Sequence, residues 1–220
     1  MRPALIAFTV LAVVEIATQL FDARPVHVVV KPLLMPALLA WYWTAAGTGQ
    51  RSVWVVAALI FCCAGDTFLL FQQDPQFFIY GLVAFLIGHL LYVLAYRQHQ
   101  REDTTDALGN VRKLRIAFPV LLAGIGLVVV LYPGLGSMRI PVVVYASVIQ
   151  FMVITAIFRM GRTTNTSFAF VLTGAMFFMI SDAMIAVNKF YFPFPFAGFW
   201  IMLTYLLAQF FIVRGLLKHD

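Results

Sequence analysis

The sequence predicts an all-α, polytopic membrane protein with eight transmembrane helices, and three observations lead there. Of the 220 residues, 63% are hydrophobic and 11% charged, with a mean hydropathy of +0.94, far from the roughly quarter-charged make-up of soluble domains. The apolar residues fall into eight runs, each near the length of about twenty residues that a helix needs to cross the hydrocarbon core. Connections between the runs are short. The one sizeable polar segment, 97–115, is too short for a domain, so the chain reads as a single eight-helix transmembrane domain over 1–220.

Taken in order, the runs are 4–21, 27–46, 52–71, 77–96, 114–132, 140–158, 167–188 and 196–215. The first resembles a signal peptide, with Arg2 before an apolar stretch, but Glu15 interrupts it and no small-residue cleavage site follows, so it reads as a retained helix. Glu15 is expected to sit near enough to the boundary to be hydrated. Pro32 and Pro36 lie inside the second run, where a kink is expected and neighbouring groups must re-satisfy the freed backbone. Cys62 and Cys63 are adjacent in the third run, which suits neither a structural disulfide nor a spaced metal site.

Lysine and arginine set the orientation. With both termini inside, the inner side holds Arg2, Arg51, Arg97, Arg101, Arg112, Lys113, Arg115, Arg159, Arg162, Arg214 and Lys218, and the outer side holds Arg24, Lys31, Arg139 and Lys189. That bias predicts an N-in, C-in topology. It also explains the net charge of +6 without nucleic acid, because the basic residues are scattered rather than gathered into a patch. The third and seventh runs each carry a small residue followed by aspartate, Gly65-Asp66 and Ser181-Asp182, and the runs after them share a spacing, so two pseudo-repeated four-helix halves are a further expectation.

Charges inside apolar helices demand an account, since each costs several kcal/mol unless it faces a bundle interior or a wet cavity. Asp66 and Asp182 are such charges. On the fourth run Gly81, Phe85, Gly88, His89, Tyr92 and Tyr96 share one helical face; on the seventh Gly174, Ala175, Phe178, Ser181 and Asp182 do; on the eighth Gly198, Met202, Tyr205 and Gln209; on the sixth Tyr145, Ile149 and Met152. These stripes are expected to line one cavity. The plainer alternative makes the histidine, tyrosines and glutamine interhelical packing groups, and makes the aspartates charge partners of Lys31. Tyr80, Tyr191 and Trp200 fit an interfacial aromatic belt. No GxSxG, HExxH or phosphate-cradling glycine loop occurs, and a single intramembrane histidine is a poor metal site, so neither metal nor cofactor is expected.

Together, Lys31-Pro32 with Met35-Pro36, Gly65-Asp66 with Leu69, Gly81-Leu82 with Phe85, His89 and Tyr92, Tyr145, Gly174-Ala175 with Phe178 and Ser181-Asp182, and Tyr205 with Gln209 resemble the YhhN family of eight-helix membrane proteins, which includes lysoplasmalogenases. The resemblance spans about 31–209 and leaves Glu15 and the segment 190–196 unmatched. It implies hydrolysis of the vinyl-ether bond of a lysoplasmalogen, releasing a fatty aldehyde and glycerophosphoethanolamine or glycerophosphocholine. The partners implied are a lysophospholipid substrate and membrane lipids. A multi-pass protein of a bacterial inner membrane is the expected location, with an endomembrane as the alternative.

Vinyl ethers are cleaved by protonation on carbon, followed by capture of the oxocarbenium ion by water. Two carboxylates in different environments can divide the acid and base tasks. Asp182 is expected as the acid and Asp66 as the base, because Gly65 should leave room for a water beside Asp66. Substrate binding is expected from Lys31, His89, Tyr92, Tyr145, Ser181, Tyr205 and Gln209, with Lys31 near the phosphate and Phe85 and Phe178 along the chain. A competing class is a proton-coupled transporter of small molecules or lipids that uses the same aspartates as a relay.

Overall fold

A computed structural model describes residues 2–47, 49–100 and 110–218. Within them the chain forms eight α-helices: α1 Arg2–Phe21, α2 Arg24–Ala45, α3 Val53–Leu69, α4 Pro75–Gln98, α5 Asn110–Leu131, α6 Arg139–Phe158, α7 Asn165–Phe190 and α8 Ala197–Leu216. Two 3-10 turns, Tyr132–Gly134 and Gly136–Met138, join α5 to α6. Seven of the helices are long and apolar enough to cross a membrane. The exception is α3, with 17 residues. The expected third span, 52–71, is shortened because the chain turns over 70–74, where Asp74 Oδ1 caps Gln76 N–H at 2.9 Å and Pro75 opens α4. Residues 101–109 of the expected connection 97–115 lie outside the described residues.

Packing divides the chain into two compact units, 1–92 and 93–220, with the boundary inside α4. In the first unit, Asp22 adopts a left-handed φ of 51° and so lets α1 reverse directly into α2. Pro25 sits in the first turn of α2, where its missing N–H has no cost. The helix continues through Pro32 and Pro36. Pro36 cannot donate to the Pro32 carbonyl, and the Cys63 thiol of α3 donates to it instead at 3.4 Å. The buried residues of α2, Val30, Leu34, Met35, Leu38, Trp41 and Tyr42, form one face of the helix.

The second unit is drawn tightest between α7 and α8. A Cβ added at Gly174 would stand 2.8 Å from the Ala208 carbonyl oxygen, and one at Gly215 would stand 2.8 Å from the Val171 amide nitrogen. Two glycines thus allow the backbones to approach. At the Gly215 end of that interface, Arg159 is fully buried and Nη2 donates to the His99 carbonyl at 3.1 Å and to Ser167 Oγ at 2.9 Å, while Ser167 Oγ donates to the Gly215 carbonyl at 2.7 Å. Counted from sequence as a loop charge, Arg159 is instead an internal tie between the ends of α6, α7 and α8.

Candidate functional site

Asp66 lies in the last turn of α3, 2% exposed. The helix must come close to α4 there. A Cβ at Gly65 would fall 2.6 Å from the Phe85 ring and one at Gly81 would fall 2.7 Å from Leu69 Cδ2, while Gly88 faces Cys62. The glycine before Asp66 therefore makes room for Phe85. The expectation that it holds a place for water is corrected, since an aromatic ring fills that space. His89 and Tyr92 continue the same α4 face and both are 0% exposed.

Cys63 bonded to Pro32 sets the register of α2 against α3. Antiparallel neighbours rise about 1.5 Å per residue, so Asp66, three residues beyond Cys63, stands level with Val29 of α2, between His27 and Lys31. Lys31 is half-buried, and among the described residues it takes no hydrogen bond and no ion pair. The alternative in which an aspartate is the charge partner of Lys31 is therefore not what the structure contains. Below it, an apolar groove of about 430 Å³ runs between α2 and α3, lined by residues including Met35, Pro36, Leu59, Cys63, Ala64 and Thr67.

In the second unit the Tyr145 hydroxyl of α6 donates to Asp182 Oδ2 of α7 at 2.5 Å. Tyr145 is 9% exposed and Asp182 half-buried. Both border a cavity of about 60 Å³, with Gly124, Ile149, Gln150 and Met179 among the other walls. That volume holds a small group or a few waters and no more. Gln150, which sequence reasoning did not single out, is 7% exposed and packs where Gly124 of α5 has no side chain.

The remaining expected binding residues are engaged in helix packing. Ser181 Oγ donates to the Ile201 carbonyl of α8 at 3.0 Å. Gln209 Nε2 donates to the Tyr205 hydroxyl at 3.4 Å, and Tyr205 meets Phe178 edge-on with centroids 5.4 Å apart. Ser181, Tyr205 and Gln209 are all buried between α7 and α8. Among the described residues no group of three or more His, Cys, Asp and Glu is gathered to hold a metal ion.

Sequence reasoning missed one polar cluster. Glu15, expected to be hydrated, is 0% exposed, and its Oε1 takes His27 Nδ1 at 2.7 Å and Gln19 Nε2 at 3.1 Å. The signal was present: Glu15 was an unexplained charge, and a reversal near Asp22 brings a polar residue twelve positions later alongside it.

The model of the YhhN family matches residues 26–216. Lysoplasmalogenase TMEM86A of Bos taurus is 32% identical over 162 residues, 72% of this chain and 62% of that protein. Lysoplasmalogenase TMEM86A of Homo sapiens is 32% identical over 161 residues, 70% of this chain and 61% of that protein. The lysoplasmalogenase of Mycobacterium tuberculosis is 29% identical over 194 residues, 86% of this chain and 71% of that protein. The chain thus spans a little over three fifths of the TMEM86A relatives. No solved structure matches it. With the family model matching over residues 26–216, most of its length, the chain belongs to the YhhN family.

Proposed function

We propose that this protein is a lysoplasmalogenase that hydrolyses the vinyl-ether bond of a lysophospholipid by carboxylate acid–base catalysis within the membrane. The observation that carries the reading is the Tyr145–Asp182 pair, a hydrogen-bonded intramembrane carboxylate at the wall of a small cavity, in a family whose curated relatives bear that name.

Asp182 and Asp66 are the two catalytic carboxylates. Tyr145 occupies Asp182 Oδ2, so the transferable proton belongs on Oδ1. Delivery of that proton to the outer vinylic carbon leaves an oxocarbenium ion, Asp66 takes a proton from the water that captures it, and the hemiacetal collapses to aldehyde and glycerophospho-alcohol. Lys31 supports the phosphate, and the largely apolar α2–α3 groove accepts the alkenyl chain. His89, Tyr92, Ser181, Tyr205 and Gln209 shape the surrounding packing and substrate pocket. The lysine and arginine bias supports N-in and C-in termini, the paired Gly65-Asp66 and Ser181-Asp182 steps support two related halves, and short connections support a bacterial inner membrane.

The test is aldehyde release by the detergent-purified protein from a lysoplasmalogen, with the saturated alkyl-ether analogue alongside. Release from the vinyl ether alone is expected. A folded protein that releases no aldehyde, but translocates lipid in vesicles under a proton gradient, would replace the enzyme with the transporter.

A further inference from the structure

Glu15 is enclosed without being idle. A carboxylate only accepts hydrogen bonds, so His27 Nδ1 carries a hydrogen toward Oε1 at 2.7 Å and the Gln19 amide donates to the same oxygen at 3.1 Å. The 2.9 Å approach of Gln19 Nε2 to Nδ1 is then the third side of a triangle between two donors. The Thr18 hydroxyl, which donates to the Glu15 carbonyl at 2.7 Å, lies 3.5 Å from Oε2. Ring orientation is fixed by these contacts, and in the imidazolium form both nitrogens donate, Nδ1 toward Glu15 and Nε2 away from it. Nε2 is the free working atom: the side chain is 21% exposed, and among the described residues nothing bonds Nε2.

Lys31 follows His27 by one helical turn. Positions 27, 31, 34, 38 and 42 keep helical spacing, and Leu34, Leu38 and Tyr42 are buried. The His27–Lys31 side is therefore the continuation of the packed face of α2 toward the Ala23 end. Lys31 brings a positive charge to that side of α2, and among the described residues no carboxylate pairs with it. A phosphodiester carries one negative charge. Donors about 6 Å apart along the axis can reach different non-bridging oxygens of one phosphate.

We propose that His27 Nε2 and the Lys31 ammonium form the phosphate-binding site for the lysophospholipid headgroup, with Glu15 as the residue that positions the imidazole. The inference rests on the substrate class proposed above and adds to it a helix, α1, that lies outside the residues matched to the family model.

The test uses ligands that cannot be hydrolysed. Binding of a saturated alkyl-ether lysophospholipid to the full-length purified protein is compared with binding of the alkylglycerol of the same chain, which lacks phosphate. Asparagine at position 27 keeps a donor where Nδ1 lies and loses Nε2, whereas glutamine keeps a donor where Nε2 lies. The wild type is expected to prefer the phosphate ligand by about tenfold or more. His27→Asn and Lys31→Met each remove most of that preference, His27→Gln retains it, and Glu15→Gln lowers it by several fold. A folded His27→Asn protein with wild-type preference would overturn the proposal, as would variants that weaken both ligands equally, because the cluster would then be a clamp between α1 and α2. Intact preference with no aldehyde release from a lysoplasmalogen would support the phosphate site and sink the enzyme reading alone.

Discussion

Asp66 and Asp182 have the same local sequence, a small residue and then aspartate inside an apolar helix, yet the two surroundings differ in kind. Asp66 is almost sealed, and the residue before it is small because Phe85 packs into its space. Asp182 is half-buried beside a cavity, bonded by Tyr145, and the residue before it works through its hydroxyl, which clasps the α8 backbone. One step brings helices together by lacking a side chain and the other by supplying a polar one. The carboxylate exposed to a cavity is suited to hand over a proton, and the sealed one to hold charge.

The largest effect expected from breaking this comparison is at the carboxylates themselves. Asp66→Asn and Asp182→Asn should each lower kcat/KM for aldehyde release by about a thousandfold or more in protein that still folds. If one variant keeps near wild-type turnover, that residue is a packing group and the division of tasks fails. Tyr145→Phe sharpens the contrast, because it removes the donor to Asp182 and touches nothing assigned to Asp66. A loss of about 10- to 100-fold in kcat with little change in KM is expected, read from steady-state kinetics.

Smaller effects follow for the glycines that set helix spacing, measured as the thermal midpoint in detergent. Gly174→Ala meets the Ala208 backbone and should cost about 2–3 kcal/mol; Gly81→Ala meets the end of the Leu69 side chain, which can rotate, and should cost about 1 kcal/mol. Gly126→Ala meets nothing within 4 Å and should stabilise α5 by about 0.5–1 kcal/mol.

Helix number and placement were legible in the sequence because apolar run length and helical spacing are properties of the chain itself. The faces carrying Phe85, His89 and Tyr92, Tyr145 and Ile149, and Phe178 and Ser181 are buried as their spacing predicts. What spacing cannot give is the partner across an interface. Tyr145 and Asp182 were both singled out, but their bond depends on the rotation of α6 against α7. Gly65 was expected to leave room for a water, and only packing shows that the Phe85 ring takes that space. Glu15 and His27 lie on different helices, so no single-helix pattern joins them. Arg159 was counted only as an inner-side charge because sequence position alone does not show that the ends of three helices close over it.

The most direct measurement of the central claim is where solvent atoms enter the aldehyde. In deuterated water containing heavy oxygen, with the product reduced as it forms to prevent exchange, carboxylate-catalysed protonation on carbon predicts one deuterium on the carbon beside the carbonyl and heavy oxygen in the former carbonyl group, with both labels absent when Asp66→Asn or Asp182→Asn replaces the wild type. Aldehyde that carries no deuterium at that carbon, or equal labelled product from both variants, would contradict acid–base hydrolysis by these two residues.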